Sequence, residues 1–427
     1  MTEQLLQYIW KFRYFNAGSL VSAAGDVLSV IRQGTHNHNQ GPDFLDAVII
    51  IAGVRWAGTV EVHIRTSDWI RHRHQADGFY RNVILHVVWD HDGIVNDVPV
   101  LELKDRVPHH LLSRYVQLMG NESFIPCNAN IQFLSALAWI GWKDRLLFER
   151  LERKGSLVEL YTRINNGYWE ESCWWLLARS FGLVVNAEVF EEIARSVPWK
   201  VIQRHRNNLT HLEALLLGQA GLLSSFQLSH VQDEYLHVLR REYKVIQMKY
   251  KLRPAQLRLR LLRMRPGNFP GLRLAQLASL LHHIPDLFHV FLYTSSLTEM
   301  KTKFRVTTSE YWCNHYLPGK LSVAAKKPLS MGMIDKLIIN AVVPVLFIHG
   351  QHSKDTCFAD RAIDWLMQLK QEHNSITDSF RRLGFMQHNA FDSQAMLELK
   401  HQYCDRRRCL HCAVGYSILN PRHPSQP

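Results

Sequence analysis

The sequence predicts two parts of different fold class: an N-terminal α+β or α/β part with the element order αβββαβ, and a mostly α-helical part that ends in a cysteine cluster. Up to residue 103, runs of Val and Ile alternate with helical patterns, which is typical of a mixed sheet with helices packed on it. After residue 120, Leu and Trp recur at helical spacing instead. The predicted domains are therefore 1–120 and 121–400.

The N-terminal elements follow one another along the chain. Apolar side chains recur at helical spacing after Glu3, and Ser67 with Asp68 is a favourable start for a second helix. Two runs rich in Val and Ile are joined by Ala52-Gly53 and form a predicted hairpin. The predicted order is helix 3–15, strand 27–32, strand 45–51, strand 54–60, helix 69–79, strand 82–89 and strand 98–103.

The hairpin decides whether Asp43 and Glu61 lie together. If the turn centres on Gly53, Asp43 lies opposite His63, and the alternation of side chains puts Glu61 on the same face. A shift of one residue would move Asp43 to the other face. Carboxylate oxygens suit Mg²⁺ and Mn²⁺, so we expect Asp43 and Glu61 to hold one of these ions.

More polar residues follow the hairpin. Asp68 and His72 are four positions apart and share a helix face, His74 comes next, and His86 lies inside an apolar strand. In one interpretation, these four residues form a second shell that orients Glu61 and His63 around the metal. In the other, Asp68 caps a helix, His72 and His74 lie on the surface, and His86 is a core histidine.

These residues and this element order resemble the PD-(D/E)xK nuclease superfamily, which has a restriction-endonuclease-like core. Pro42-Asp43 opens the second strand, and Glu61-Val62-His63 ends the third. The resemblance implies metal-dependent phosphodiester hydrolysis on DNA or RNA, with Asp43, Glu61 and His63 as the catalytic residues. His63 replaces the usual Lys, and a histidine can act as a general base or metal ligand. The replacement is also compatible with loss of cleavage.

Nearly the whole chain is similar to a bacterial family known only as a domain of unknown function. The similarity supplies no activity. The similar segments are 41–44, 56–63, 67–69 with His72 and His74, 83–88, 263–270 and the C-terminal cysteines.

Charge favours a polyanionic partner. The 427 residues carry a formal net charge of +12, with a pI near 9.4, which favours nucleic acid as partner. The segment 240–273 is the most basic, and Arg263, Arg265 and Arg273 are its predicted nucleic-acid contacts. The alternative is a solvated helix face. No phosphate-binding loop or dinucleotide fingerprint occurs, so no nucleotide cofactor is expected.

The cysteines predict a second metal site. Cys404, Cys409 and Cys412 lie within nine positions, and with His401 they form a possible zinc set. With Cys357 or Cys313 as the fourth ligand, they would suit an iron–sulfur cluster. The segment 401–420 is thus a predicted metal-binding segment, followed by a disordered tail over 421–427.

Cellular location follows from what the sequence lacks. It has no run of 18 apolar residues and no basic-then-apolar leader, so we expect no membrane span. Seven scattered cysteines do not form a disulfide framework. The predicted location is the cytoplasm.

Two other function classes remain open. One is a non-catalytic nucleic-acid-binding or scaffold protein that kept a nuclease-like fold, for which binding would depend on salt but not on metal. The other is a metal-dependent enzyme acting on a different substrate through His63, His72 and His74, for which Zn²⁺ or Fe²⁺ would bind tightly.

Overall fold

The computed structural model describes residues 1–37, 39–93, 98–131, 134–223, 233–261 and 264–420. The chain divides into two compact units. The first contains 1–139 and 400–427, and the second contains 140–399. Sequence reasoning treated 401–420 as a segment of its own, whereas the structure assigns it to the same unit as the N-terminal sheet.

The first unit is built on a seven-stranded mixed sheet. Its strands lie in the order β1-β2-β4-β5-β6-β7, and β3 pairs with β4. Pairs from β1 to β5 are antiparallel, and β5, β6 and β7 are parallel. The bounds are α1 Glu3–Lys11, β1 Leu20–Val21, β2 Val27–Arg32, β3 Thr35–His36, β4 Phe44–Ile51, β5 Val54–Arg65, α2 Asp68–Arg71, β6 Val83–Asp90, β7 Val100–Glu102 and α3 His109–Gly120.

Helix α1 covers one face of this sheet. Its N-cap Thr2 accepts a hydrogen bond from the backbone N–H of Leu5 at 3.2 Å, as a capping hydroxyl does. Leu6, Ile9 and Trp10 are fully buried in the core that also contains the inward-facing strand residues. The opposite face of the sheet is thereby left for the polar residues of β5.

The turn of the central hairpin differs from the prediction. Ala52 and Gly53 form a two-residue loop with φ of 49° and 81°, and Ile51 pairs with Val54. Positive φ at both loop positions is typical of a type I′ turn, whose twist matches that of the strands. If this register continued unchanged, Asp43 would lie on the core face of the sheet.

A β-bulge returns Asp43 to the polar face. The register of β4 and β5 shifts around Asp46, which has a φ of 57°, and one extra residue reverses the alternation of side chains. Asp43 then lies opposite Glu61. The predicted pairing of Asp43 with His63 was wrong by two residues: the two-residue turn accounts for one, and the bulge, of which the sequence gives no sign, accounts for the other.

The predicted helix over 69–79 is also wrong. Only α2 forms, and it is followed by 3₁₀ turns at His74–Ala76 and Gly78–Asn82. Arg73 interrupts the helix with a left-handed φ of 61°. The segment 68–82 is therefore a compact irregular cover over the polar face of the sheet.

The C-terminal part of the first unit packs on α1 and α3. It contains a π-helix Leu399–Cys404, a 3₁₀ turn Cys409–His411 and α18 Ala413–Leu419. Asn420 Nδ2 donates a hydrogen bond to Tyr8 Oη of α1 at 2.8 Å. The two ends of the polypeptide thus meet in one core. The tail 421–427, predicted to be disordered, lies outside the described residues.

The second unit is helical and has its own large apolar core. The prediction of an α+β part followed by a helical part is confirmed at this level. The helix bounds are α4 Ala136–Ile164, α5 Trp169–Phe181, α6 Ala187–Ser196, α7 Trp199–His205, α8 Leu209–Gln219, α9 Glu234–Tyr250, α10 Pro270–His283, α11 Leu287–Tyr293, α12 Leu297–Lys303, α13 Met331–Leu337, α14 Val343–Ser353, α15 Thr356–Gln368, α16 Ser375–Arg382 and α17 Ala390–Glu398.

One helical stretch of the second unit is strongly apolar. Among the described residues, Met331–Ser353 is long and apolar enough to cross a membrane, but 72% of its apolar window is buried inside the protein. A core helix of a soluble protein has these same properties.

Candidate metal centre

Three polar side chains share the covered face of the sheet. In β5, Glu61 and His63 alternate with Val60 and Val62, which lie in the core. Strand β6 lies parallel to β5, and its His86 pairs in register with Glu61. Glu61, His63 and His86 are at most 5% exposed. A carboxylate and two imidazoles are thus enclosed together, where an unpaired charge is costly.

The irregular cover brings two more imidazoles to this face. The left-handed turn at Arg73 separates His72 from His74, and both rings contact His63, with centroid distances of 4.9 and 5.2 Å. Tyr80 stacks on His74 with 3.8 Å between ring centroids. A regular helix would place His72 and His74 about 200° apart, so the break is what lets both reach one point.

Three ring nitrogens form a compact group. One nitrogen each from His63, His72 and His74 lies within 4.8 Å of the other two. His72 Nδ1 is 3.1 Å from His63 Nε2. On its other side, His63 Nδ1 is 2.9 Å from His86 Nε2. His86 therefore fixes the ring of His63 while Nε2 of His63 points into the group.

Glu61 supplies an oxygen to the same point. Its Oε1 is 3.4 Å from His63 Nε2 and 3.5 Å from His74 Nε2. Two ligands bound about 2.1 Å from a tetrahedral ion lie about 3.4 Å apart. The buried His74 Nε2 has no hydrogen-bond partner among the described residues. Glu61 Oε1 is therefore at the spacing of a fellow metal ligand to His63 and to His74, whereas His72 joins them through the group of three ring nitrogens.

Asp43 supports Glu61. Its backbone N–H donates to Glu61 Oε2 at 3.0 Å, and its Oδ2 accepts from the backbone N–H of Val62 at 3.1 Å. Its Oδ1 accepts from Gln7 Nε2 at 2.9 Å. Both carboxylate oxygens of Asp43 are thus already hydrogen-bonded, which favours a positioning role over the predicted role as metal ligand.

Sequence reasoning missed the contribution of α1. Glu3 and Gln7 lie one helical turn apart, so they share a helix face. Gln7 bonds to Asp43, and the charge of Glu3 contributes to raising the pKa of both Asp43 and Glu61. The polar pair beside the apolar stripe was visible in the sequence, but its direction relative to the sheet was not.

Comparison with known protein families identifies the family of the chain. Residues 3–375 match the model of a family described as a protein of unknown function, DUF2851. This match covers most of the chain. The chain belongs to the DUF2851 family. The predicted similarity to a family of unknown function is therefore confirmed. Searches of curated proteins and of solved structures gave no significant match.

Burial moves the pKa values of the DUF2851 site in two directions. Desolvation raises the pKa of Glu61 to about 9 and that of Asp43 to about 7, and each acid has another carboxylate nearby. Desolvation and neighbouring imidazoles lower the pKa of His63 strongly and that of His86 to about 4. All four shifts disfavour the charged form. A bound divalent cation would favour the charged form of both acids, and the neutral imidazoles could serve as its ligands.

We predict that the metal-free protein loses stability as the pH rises from about 6.5 to 9. In the folded state Glu61 and Asp43 keep protons that the unfolded chain releases at ordinary values of 4.5 and 3.8, so the native state binds more protons and the slope is negative. The measurement is the urea midpoint against pH in EDTA. Glu61→Gln should flatten this profile, and an unchanged slope in that variant would contradict the assignment.

Asp68 has a structural role in this unit. Its Oδ2 accepts from the backbone N–H of Arg65 at 3.0 Å, and its Oδ1 pairs with Arg71 at 2.9 Å. Asp68 is 4% exposed. It ties the end of β5 to α2. Of the predicted second shell, His86 contacts His63, and His72 and His74 lie in the donor group itself.

The predicted nucleic-acid contacts of the chain differ in their exposure to solvent. Arg265 is exposed, and Arg263 lies outside the described residues. Arg273 is 7% exposed, and its guanidinium donates to Asn268 at 2.6 Å and to Gln276 at 2.8 Å. Arg273 therefore braces the loop after α9 and does not form the exposed phosphate contact that we expected.

The predicted C-terminal ligands Cys404, Cys409, Cys412 and His401 all belong to the first unit. Cys409 and Cys412 are buried, and Cys404 is partly buried. His401 is exposed, and its Nδ1 is 3.2 Å from Asp405 Oδ2. The alternative ligands Cys313 and Cys357 belong to the second unit.

Proposed function

We propose that this protein is a metal-dependent phosphodiesterase that acts on nucleic acid, with its active site on the polar face of the first sheet. The observation that supports it most is the donor group of His63, His72 and His74 beside Glu61, with neighbouring donor atoms 3.1 to 3.5 Å apart. The buried Nε2 of His74, which has no hydrogen-bond partner among the described residues, is a nitrogen that an ion at this point could bind.

The nitrogen and oxygen donor atoms of the site decide which metal ions it prefers. Imidazole nitrogen suits Fe²⁺ and Zn²⁺ best, Mn²⁺ shares the preference for carboxylate oxygen but is a transition metal, and Mg²⁺ prefers oxygen ligands alone. With three histidines and one carboxylate, the site should therefore bind Mn²⁺ or Zn²⁺ more tightly than Mg²⁺. This proposal changes the expected ligands from Asp43 with Glu61 to Glu61 with three histidines.

The topology supports the nuclease resemblance. Strands β2, β4, β5 and β6 are adjacent in sequential order, with two antiparallel pairs followed by a parallel pair. The connection from β5 to β6 crosses the polar face through the segment 68–82. Asp43 stands at the start of β4 and Glu61 towards the end of β5, where the resemblance requires the two acids.

The exposed basic side chains support a nucleic-acid substrate. The second unit carries a run of exposed cations along α9 and the extended chain after it, and few acids accompany them. Such a run can follow a phosphate backbone. The exposed basic residues are Arg241, Lys244, Lys249, Lys251, Arg253, Arg258, Arg260 and Arg265.

Each side chain of the site has a distinct task. Glu61, His63 and His74 would hold the ion from the buried side, and the exposed His72 leaves the site reachable from solvent. When bound, the ion would polarise a phosphoryl oxygen and lower the pKa of a water molecule. If His63 binds the ion through Nε2, its proton must be on Nδ1, and this N–H then donates a hydrogen bond to His86 Nε2.

The direct test is cleavage of labelled DNA and RNA, single- and double-stranded, with Mn²⁺, Mg²⁺ or EDTA. We expect Mn²⁺-dependent cleavage by the wild type and none by His63→Ala. His110→Ala, which changes an exposed histidine of the same unit, is the matched control. Equal cleavage by wild type and His63→Ala would reject the proposal. Salt-sensitive binding without cleavage would support the non-catalytic alternative instead.

We predict that His86→Phe weakens Mn²⁺ binding about 10- to 100-fold, the usual effect of losing a partner behind a ligand histidine. Phenylalanine keeps the packing against Trp69, whose ring centroid is 5.1 Å from that of His86, but cannot accept the His63 proton. The measurement is Mn²⁺ affinity by calorimetry, with the far-ultraviolet circular dichroism spectrum as a check of folding. An unchanged affinity would show that His86 is only a core residue.

A further inference from the structure

Three cysteines at the C-terminus of the first unit are held by one compact turn. Cys404 ends the π-helix, Cys409 opens the 3₁₀ turn, and Cys412 is the N-cap of α18. The backbone of Cys412 donates to Cys409 O at 3.2 Å. A Cβ at Gly415 would lie 2.2 Å from Cys409 O, so glycine is what lets α18 pack directly on the turn.

A second segment of the chain reaches the same turn. The guanidinium of Arg407 donates to the carbonyl of Met119, and Lys400 Nζ lies 4.9 Å from the ring centroid of Phe124. These contacts hold the segment 119–127 against the C-terminal cysteines. The sequence offered no reason to pair them, because 276 residues separate Cys127 from Cys404.

Cys127 lies at the end of this segment, beside α18. It lines a cavity of about 450 Å³ together with Ile418 of α18. Asn121 Nδ2 donates to Pro126 O at 2.9 Å and closes the loop that carries Cys127. The thiol is free, as are those of the other three cysteines.

The four thiols are near enough to influence one another. After burial, the largest causes that raise the pKa of Cys404 are the charges of Cys412, Cys127 and Cys409. Burial and then the charge of Cys412 raise the pKa of both Cys409 and Cys127 to about 12. Backbone N–H groups of Val414 and Gly415 bond to Cys412 and oppose the effect of its burial.

We propose that Cys127, Cys404, Cys409 and Cys412 together bind a [4Fe–4S] cluster. The contacts of Arg407, Lys400 and Ile418 bring the fourth cysteine to the other three. Four thiolates are the usual ligands of such a cluster, and hydrogen bonds to the sulfur atoms tune it. Each thiol loses one proton when it binds iron.

The four cysteines do not form a group of ligand atoms at zinc spacing among the described residues. Around a tetrahedral zinc ion, sulfur atoms bound at about 2.3 Å lie about 3.8 Å apart. Among the described residues, the group of three such ligand atoms found within 4.8 Å of one another is the histidine group, not the cysteines. A cluster places each thiolate on a different iron atom and so requires wider spacing.

The cluster would act as a covalent link across the chain. The whole second unit, 140–399, lies in sequence between Cys127 and Cys404. Binding would tie the two ends of the first unit together, much as a disulfide closes a long loop. The proposal replaces His401, Cys313 and Cys357 as the fourth ligand.

The test is iron and sulfide analysis of the full-length protein after anaerobic purification. We expect roughly four iron and four sulfide per chain, with a broad visible absorption band that dithionite bleaches. Cys127→Ser should lose most of the iron, and Cys357→Ser, which changes an exposed cysteine, should keep it. Full iron content in Cys127→Ser would overturn the ligand assignment. One zinc without iron or sulfide would overturn the cluster.

A second measurement needs no variant, so it holds even if Cys127→Ser does not fold. The wild type is alkylated before and after the metal is removed with an oxidant and a chelator. We expect Cys127, Cys404, Cys409 and Cys412 to become reactive together only after removal, and Cys357 to react in both samples. Alkylation of Cys127 before removal, while the other three are protected, would reject the four-cysteine site.

Discussion

Glu61→Gln is expected to lower the Mn²⁺-dependent cleavage of nucleic acid by about 100-fold or more. Losing an outer partner of a metal ligand already costs 10- to 100-fold, and Glu61 is the proposed anionic ligand. Its Oε1 faces His63 and His74 at 3.4 and 3.5 Å. Glutamine keeps the size of the side chain but removes the charge. The measurement is the cleavage rate at saturating Mn²⁺.

The same variant separates loss of metal from loss of fold. Because burial raises the pKa of Glu61 from 4.5 to about 9, its side chain at pH 7 without metal is protonated in the folded protein but ionised in the unfolded chain, so glutamine should keep or increase the metal-free stability. Only the stabilisation by added Mn²⁺ should disappear. Glu122→Gln, at an exposed position of the same unit, is the control. Full cleavage by Glu61→Gln would show that the site is not catalytic.

Glu398→Ala is expected to destabilise the second unit by about 3–5 kcal/mol. Glu398 is 2% exposed, and its Oε2 accepts from Arg150 Nη1 at 3.2 Å and from Arg153 Nη2 at 2.5 Å. Lys154 is partly buried and donates to Gln394 at 2.8 Å. Removing the carboxylate leaves the buried Arg150 without its ion-pair partner and with only the charge of Glu372 nearby, and breaking a buried pair costs more than the pair itself contributes.

The measurement for Glu398→Ala is urea unfolding followed by tryptophan fluorescence. Glu159→Ala, on the helix α4 that carries Arg150, is the matched control, because Glu159 forms a surface pair with His352 at 3.6 Å and its side chain is 42% exposed. Such a surface pair contributes about 1 kcal/mol or less. Equal loss of stability in the two variants would show that the buried network has no special role.

The sequence predicted the order of the elements better than their register. Alternating Val and Ile define the strands, but nothing in the sequence marks the bulge at Asp46, whose left-handed φ of 57° depends on the neighbouring strand. Likewise, the pattern after Asp68 suits a helix. The contact of Trp69 with His86 of the sheet and the stacking of Tyr80 on His74 hold the chain in turns instead, because burying aromatic rings outweighs helix propensity.

Likewise, the sequence predicted only those parts of the site that depend on local spacing. Glu61 and His63 alternate along one strand, so local spacing was enough to group them. His72 and His74 reach the same point only because Arg73 breaks the helix. Cys127 could not be grouped with Cys404 from sequence, because only the tertiary contacts of Arg407 and Lys400 bring their segments together.

The central claim is that Glu61 and three histidines bind one divalent transition-metal ion, and the most direct test is a Mn²⁺ titration followed by electron paramagnetic resonance. We expect the wild type and His110→Ala to remove one equivalent of free Mn²⁺ from solution, and His74→Ala and Glu61→Gln to remove far less at the same concentrations. Equal uptake of Mn²⁺ by all four proteins would contradict the account.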